Sequence, residues 1–488
     1  CLFCHDDRLQ TAGLRLDLVD FAKVNENPEV LEKVVQKLRT RTMPPADMPQ
    51  PSIAARSAML AWLETSLDEA AAANPNPGRT ETLRRLNRTE YRNSVRDLLA
   101  LDIDVSLLLP PDESGHGFDN VNVGDLSPIL LDRYISAAQK ISRLAVGGSE
   151  TTLQEVIIRV PADLTQEQHI AGLPIGTRGG VSVSHTFPQD GAYDIQIRLA
   201  RNRTGDIGGL RSPQALPLEL LLDRKIVETF SVIKPDGPDH SVVDANFKIR
   251  VAVTAGPHDI GVTFPKQSSA LLETERQPLQ AHYNEIRHPR LTPAIYQVSI
   301  MGPYGSQAAG DTPSRRQIFV CRPTDVSTEE ACAKQILTKL MRRAFRRPVS
   351  DSDLEGPMAF YRLGRSEGDF DEGVEKALGA VLINPEFLFR VELQPDQIAA
   401  GSAYRISDIE LASRLSFFLW SSLPDEELLD AAVQGELSQA DGLERQTRRM
   451  LADPRSNNLA TNFAGQWLQL LNLEAFSPNP RLYPDFDN

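Results

Sequence analysis

Cys1, Cys4 and His5 stand in the spacing C-x-x-C-H at the head of a 488-residue chain that holds only two other cysteines, Cys321 and Cys332. That run reads as a c-type haem attachment site. Two thiols one helical turn apart add to the two vinyl groups of the macrocycle, and the adjacent imidazole lies under the iron as its proximal ligand. A structural zinc site needs a second ligand pair, and no second C-x-x-C follows. A thioredoxin-type dithiol needs a βαβ context, which the next stretch of chain does not offer. A chance pair of buried cysteines is the remaining structural reading.

An iron held in this way needs a sixth ligand or an open face. Downstream lies R-T-M-P-P-A-D-M-P, in which Met43 precedes Pro44 and Pro45. The two prolines hold the chain extended and stiff just after the thioether. Met43 is therefore the expected axial ligand and Met48 the alternative; otherwise Met43 is a loop residue packed on a neighbouring helix. His/Met ligation raises the reduction potential and closes the iron to exogenous ligands, which favours electron transfer over oxygen activation.

The elements around these residues predict a small helical haem domain over residues 1–73. Asn27 and Pro28 have the character of an N-cap and first helical residue, and Val30, Leu31, Val34, Val35 and Leu38 follow at helical spacing. A second helix starts near Ser52 and carries Met59, Leu60, Trp62, Leu63 and Leu67, with Trp62 read as core or haem-edge packing. So short a stretch buries little apolar surface by itself, and a covalent cofactor would complete its core. The segment A-A-A-N-P-N-P-G, ending at Gly78, reads as a linker.

A helical domain is expected over 79–148. Its loop L-P-P-D-E-S-G-H-G-F-D-N, residues 109–120, gathers Asp112, Glu113, His116, Asp119 and Asn120 around two glycines. That is oxygen enough for a cation such as calcium, and an imidazole for proton transfer. The spacing matches no EF-hand or zincin, and a capped surface turn is the simpler reading.

Over 150–305 the apolar period becomes two, with turns at regular intervals, as in A-Y-D-I-Q-I-R-L-A and F-K-I-R-V-A-V-T. Seven or eight short strands predict an all-β sandwich of jelly-roll kind inserted into an otherwise mainly α, multidomain chain. Sandwiches of this kind often bind carbohydrate, yet this stretch has no Trp to serve as a sugar platform. Phe187, Tyr193, Phe264 and Tyr296 fall on alternating positions and read as core, while His282, Tyr283 and Tyr304 are surface candidates. Helices return over 314–393 and again over 403–488, separated by a polar linker at 394–403. Ser327 with Glu330, and Ser407 with Glu410, have capping-box spacing. Ser350 reads as a cap, and a final helix at 455–471 carries Phe463, Trp467, Leu468 and Leu471 as core.

The net charge of −14 speaks against a nucleic-acid partner. The basic run K-L-M-R-R-A-F-R-R-P, with Arg342, Arg343, Arg346 and Arg347, reads as a solvated helix end or a contact with an acidic neighbour. No apolar run reaches the ~18–20 residues that span a bilayer. Covalent haem attachment in bacteria takes place outside the cytoplasmic membrane, so a periplasmic or extracellular, cell-surface location follows from the haem reading. A signal peptide is then expected upstream of Cys1, and the chain is expected to continue beyond Asn488. In such an oxidising compartment Cys321 and Cys332, eleven residues apart, are expected to pair.

The order and wording of several stretches resemble the large multidomain c-type cytochromes of planctomycetes and their relatives. These are C-L-F-C-H with M-P-P; R-L-N-R-T-E-Y-R-N-S-V-R-D-L-L with G-F-D-N; R-R-A-F-R-R-P-V with N-P-E-F-L-F-R; and Y-R-I-S-D-I-E-L-A-S-R-L-S-F-F-L-W-S-S-L-P-D-E-E-L. The resemblance implies a haem-binding cytochrome domain, several domains of unknown function and a carbohydrate-binding-like β-sandwich. It carries over haem attachment to Cys1, Cys4 and His5, and distal ligation to Met43. It supplies no reaction.

Two function classes follow. One is an extracytoplasmic electron carrier, serving a redox partner protein or a quinone-linked chain and coupled to oxidoreduction or binding of carbohydrate. The other is a surface polysaccharide-binding or scaffolding protein whose haem is auxiliary. No nucleophile–base pair or phosphate loop stands out, so any enzymatic role would be oxidoreduction.

Overall fold

The computed structural model describes residues 4–21, 23–45, 48–73, 83–112, 118–120, 127–147, 153–211, 214–266, 282–286, 289–305, 310–393 and 404–470. Cys1, Glu113 and His116 lie outside these residues, as do the linkers at 74–78 and 394–403. The chain divides into two compact units, residues 1–80 with 399–403, and residues 81–398 with 404–488.

In the first unit, α1 (Pro28–Arg39) begins on a proline whose fixed φ suits the first helical turn. The side chain of Asn27 makes no capping bond. Helix α2 (Ile53–Ala73) packs on α1. Their shared core is Val24, Leu31, Val35, Leu38, Leu63 and Leu67, with Phe21, Met59 and Leu60 against it. Arg39 Nη2 bonds Glu64 Oε1 at 2.7 Å across the pair. Trp62 is 43% exposed, with its ring centroid 6.4 Å from that of Phe21, so it edges the core rather than filling it.

The second unit opens with β1 (Leu83–Arg85) and α3 (Arg88–Leu99), whose capping box joins Asn87 to Glu90. Helix α4 (Pro128–Val146) is capped by Ser127 and ends on Gly147 in the left-handed region. Then come β2 (Gln154–Arg159), β3 (Thr177–Phe187), β4 (Gly191–Leu199), β5 (Leu216–Leu222), β6 (Lys225–Val232), β7 (Lys248–Val253), β8 (Gly256–Pro265) and β9 (Ile295–Tyr304). They form two four-stranded antiparallel sheets, in the orders β2-β9-β4-β7 and β3-β8-β5-β6. Phe187, Tyr193, Ile195, Leu218, Ile260, Phe264 and Val298 from both sheets share one core.

Tyr296 departs from the alternation: it is 40% exposed. In the β4–β9 register Arg198 faces Gln297 and Leu199 faces Ile295, so Tyr296 is the extra residue of a bulge and is turned outward.

After the sheets come α5 (Pro313–Ile318), α6 (Val326–Ala344), α7 (Asp351–Glu367), α8 (Phe370–Leu382), α9 (Pro385–Leu388) and β10 (Phe389–Val391). Strand β10 pairs back with β1. Residues of 79–148 and 314–393 contribute to a single hydrophobic core, in which Tyr91, Leu98, Tyr134, Ile141, Leu337, Leu378 and Phe387 meet. Cys321 and Cys332 form a disulfide with Cα atoms 5.9 Å apart.

The capping box of α6 is Asp325 with Thr328, not Ser327 with Glu330. The Asp325 carboxylate already accepts the Ser327 N–H at 2.9 Å, and Glu330 is turned to Arg362 Nε at 2.9 Å. Ser350 caps α7, and Ser407 with Glu410 opens α10 (Asp408–Trp420), as expected. Helices α11 (Glu426–Val433) and α12 (Ala440–Ala452) pack on Trp420 with Leu428, Leu437 and Met450.

The expected final helix is broken. A 3-10 turn over Pro454–Ser456, a π-helical turn over Leu459–Ala464 and α13 (Gly465–Trp467) replace it. Phe463, Trp467 and Leu468 are exposed rather than core. At the surface the Phe463 ring stacks on those of Trp467 and Phe118 and meets Phe418 of α10 edge-on. No described helix is long and apolar enough to cross a membrane.

Candidate functional site

Cys4 and His5 lie in a run of turns rather than in a helix. Asp6 organises that run: its Oδ1 accepts the backbone N–H groups of Leu9 at 3.0 Å and Arg8 at 3.1 Å. The Leu9 bond foremost holds the Asp6 carboxyl below the usual carboxylate range. The Cys4 carbonyl accepts from Thr11 N at 3.0 Å and the His5 carbonyl from Leu16 N at 2.9 Å. The motif is thereby tied at two points to the segment ending in the buried Leu16.

Cys4 is half-buried and outside any disulfide. His5 is half-buried too, and its Nδ1 is buried without a hydrogen-bond partner. A buried imidazole nitrogen left unpaired is unfavourable, and such groups mark places where something beyond the polypeptide completes the structure. An unpaired thiol beside that imidazole is the donor set of a c-type haem, and the residues fit the group.

Met43 is half-buried in the loop between α1 and α2. Its N–H and that of Thr42 both reach back to the Lys37 carbonyl, at 3.4 and 3.1 Å. The loop holds Pro44, Pro45, Pro49 and Pro51, none of which has an N–H to offer its neighbours. Gln50 makes up the deficit. Its Nε2 donates to the carbonyls of Pro44, Pro45 and Met48 at 3.1, 2.7 and 3.1 Å, and its Oε1 accepts from Arg56 Nη2 at 2.9 Å. Sequence reasoning passed over Gln50. The signal for it is the density of prolines, which leaves carbonyl groups that only a side chain can serve.

The acidic loop is engaged differently. Asp112 Oδ1 accepts from Arg85 Nη2 at 2.8 Å and its Oδ2 from Arg88 N at 2.6 Å. The side chains of Arg85 and Asp112 are only 9% and 5% exposed. Arg85 Nη1 also donates to Tyr134 Oη at 2.5 Å. Asp119 Oδ1 accepts from Asn87 Nδ2 at 2.9 Å, and its backbone N–H goes to Gln466 Oε1 at 2.8 Å. Burial pushes the Asp119 carboxyl up, and that of the fully buried Glu90 likewise. Among the described residues no three His, Cys, Asp or Glu side chains come together to hold a metal ion. What Asp112 and Asp119 do in this structure is fasten the loop to the start of α3 and to α13.

The basic run at the end of α6 is similarly occupied. Arg342 pairs with Glu426 and Asp430 of α11, and Arg347 with Asp353 at 2.8 Å. Arg346 is buried and donates to the carbonyls of Phe387 and Phe389 at 3.3 and 2.6 Å. Burial draws its pKa down to about 10. The run is thus a contact with an acidic neighbour and a core clamp, not a solvated helix end.

Four family models match, in chain order. Residues 1–47 match planctomycete cytochrome C. Residues 84–147, 332–392 and 406–488 match three families each described as a protein of unknown function, DUF1587, DUF1595 and DUF1592. No curated protein matches the chain. The haem motif lies inside the first match, and the capped α3, the stretch from within α6 to β10, and α10 inside the other three. With that set of segments in that order, the chain matches a planctomycete-type multidomain cytochrome.

Proposed function

We propose that the chain is an extracytoplasmic electron carrier whose haem c is attached through Cys1 and Cys4 and ligated by His5 and Met43. The observation that carries the reading is the half-buried His5, whose Nδ1 is buried and unpartnered, next in sequence to the free Cys4 and inside the segment that matches a cytochrome family. A haem so held supplies reversible one-electron exchange between ferric and ferrous iron. The protein's part is to fix the two ligands. Asp6 and the bonds from Thr11 to the Cys4 carbonyl and from Leu16 to the His5 carbonyl hold the backbone of the motif, and Gln50 holds the proline-rich loop that carries Met43. Electrons would pass to a redox partner protein or a quinone-linked chain, outside the cytoplasmic membrane where c-type haem is attached. We assign the chain beyond residue 73 to helical domains at 79–148, 314–393 and 403–488 around the β-region at 150–305.

The test is Met43→Ala. The oxidised wild type should show a near-infrared sulfur-to-iron charge-transfer band; the variant should lose it, drop in reduction potential and bind carbon monoxide. Met48→Ala should do none of this. Rapid carbon monoxide binding by the wild type would contradict His/Met closure.

Polysaccharide binding by the two-sheet region is the second reading. The strand orders β2-β9-β4-β7 and β3-β8-β5-β6, with four strands in each sheet, support a jelly-roll sandwich. The surface aromatics support it less. Arg290 covers a face of Tyr283 at 3.7 Å, and Arg250 a face of Tyr304 at 3.8 Å. His282 is paired with Asp163 at 2.9 Å. Retention on insoluble polysaccharide by a protein whose haem does not respond to dithionite would favour this second reading over electron transfer.

A further inference from the structure

The β1–β10 ribbon sets Arg84 directly opposite Arg390. Directly opposed side chains in an antiparallel pair leave from the same face with Cβ atoms roughly 5 Å apart, and like charges so placed repel. The charged groups that surround Arg84 are Arg390, Arg414, Glu392 and Glu90. Glu392 is committed to Arg414, with Nε to Oε1 at 2.6 Å. Glu90 accepts the Asn87 backbone N–H, stands 3.6 Å from Arg390, and is pushed toward its protonated form by burial. The Arg84 guanidinium has no hydrogen bond or ion pair among the described residues. Three guanidiniums therefore share two carboxylates, neither of which is free to serve Arg84.

Three donors in this part of the fold go unserved. The Nε atoms of Arg84 and Arg390 are both buried without a partner. So is the hydroxyl of Ser413, which lies one helical turn before Phe417, the ring over which Arg390 stacks at 4.9 Å. Burial, and then the charge of Arg390, hold the Arg84 guanidinium below its usual pKa. The place is within reach of solvent at Arg84, which is half-buried. It also lies where the three segments matched to families of unknown function meet, because β1, β10 and α10 each come from a different one.

We propose that Arg84 and Arg390, with the Ser413 hydroxyl, form an oxyanion-binding site that takes a carboxylate, sulfate or phosphate group. A guanidinium presents its donors as a planar fork that matches such groups in two-bond geometry. A bound oxyanion supplies acceptors to the three orphaned donors and the negative charge that the pair lacks. A water molecule could satisfy a donor but would leave the repulsion.

The test uses the full haem-loaded chain, titrated separately with inorganic phosphate, sulfate and acetate at an ionic strength held constant with sodium chloride. Wild-type protein should show a saturable rise in its thermal midpoint on the order of 3 °C with at least one of them. Calorimetric titration should find one site. A response to acetate alone narrows the ligand to a carboxylate, and one to phosphate or sulfate narrows it to a tetrahedral anion. Arg84→Gln should melt no lower than wild type in chloride, since it removes the repulsion, and should lose the saturable rise. Arg84→Lys, which keeps the charge but not the fork, should bind at least about tenfold more weakly. An identical anion response in wild type and Arg84→Gln would overturn the proposal. So would a marked loss of stability of Arg84→Gln in chloride, because the ribbon would then be satisfied as it stands.

Discussion

Two polar constellations stand out in the sequence, the C-x-x-C-H run and the acidic loop at 109–120, and the polypeptide treats them in opposite ways. In the loop, the described carboxylates are used up: Asp112 by Arg85 and the Arg88 N–H, Asp119 by Asn87. At the motif, Cys4 is unpaired and His5 Nδ1 is buried without a partner. Residue types alone made both attractive as ligand sites. The difference is in what each donor and acceptor already holds, and a group that the chain leaves unserved in its interior points outward to a ligand. The same criterion separates Arg84, which has no carboxylate partner among the described residues, from the many arginines of the second unit that have one.

The comparison can be broken most forcefully at His5. His5→Ala should abolish normal axial ligation, because no other imidazole adjoins the cysteines; the visible spectrum of the reduced protein is the readout. A spectrum unchanged from wild type would show that the motif was as complete without His5 as the loop is.

Next in size is Asp112→Ala. It strands a buried guanidinium and the first N–H of α3, and should lower unfolding free energy by about 3 kcal/mol, read from the urea midpoint. Asp112→Asn keeps an acceptor and should lose less. If calcium stabilised the wild type but not the variant, the loop would be a ligand site after all.

Reduction of the Cys321–Cys332 bond should be close behind. Closing an 11-residue separation stabilises by about 2–3 kcal/mol in the chain-entropy model. Cys332→Ser should match the effect of reductant in urea unfolding, and reductant should then have no further effect.

Much of the second unit was legible because caps and periodicity are local. Ser350 and the Ser407–Glu410 box each act within one helical turn, and the structure has them where the pattern puts them. Where two capping residues stood close together, as at Asp325 and Ser327, spacing alone could not decide which would hold the helix end. Tyr296 was misplaced because a bulge shifts the alternation by one residue, and nothing in the strand announces it. Phe463 and Trp467 have helical core spacing, yet what decides burial is a partner surface, which spacing does not encode. At the candidate site the motif residues were legible as types. The Arg84–Arg390 pair was not, because its role depends on a pairing register, and Gln50 was passed over although its partners lie within six residues of it.

The smallest effect concerns pH. Arg250 foremost, with Lys248, holds the Asp194 carboxyl well below the usual carboxylate range. A carboxyl depressed in the folded state contributes stability that is fully present above its unfolded pKa near 3.9 and is lost as pH falls through the folded value. Unfolding midpoints should therefore decline below about pH 4. Asp194→Asn should reduce that decline by a modest amount, since its cationic partners are half-exposed and screened. An unchanged acid slope in the variant would remove Asp194 from the account.

The most direct test of the central claim is a haem stain of denatured protein produced in a host that matures c-type cytochromes. Wild type should retain haem through denaturation and electrophoresis, and its intact mass should exceed that of the polypeptide by one haem. The Cys1→Ala/Cys4→Ala double variant should retain none. Haem extractable from denatured wild type into acidified organic solvent, or a stain that survives loss of both cysteines, would contradict covalent attachment and with it the reading of the chain as a c-type electron carrier.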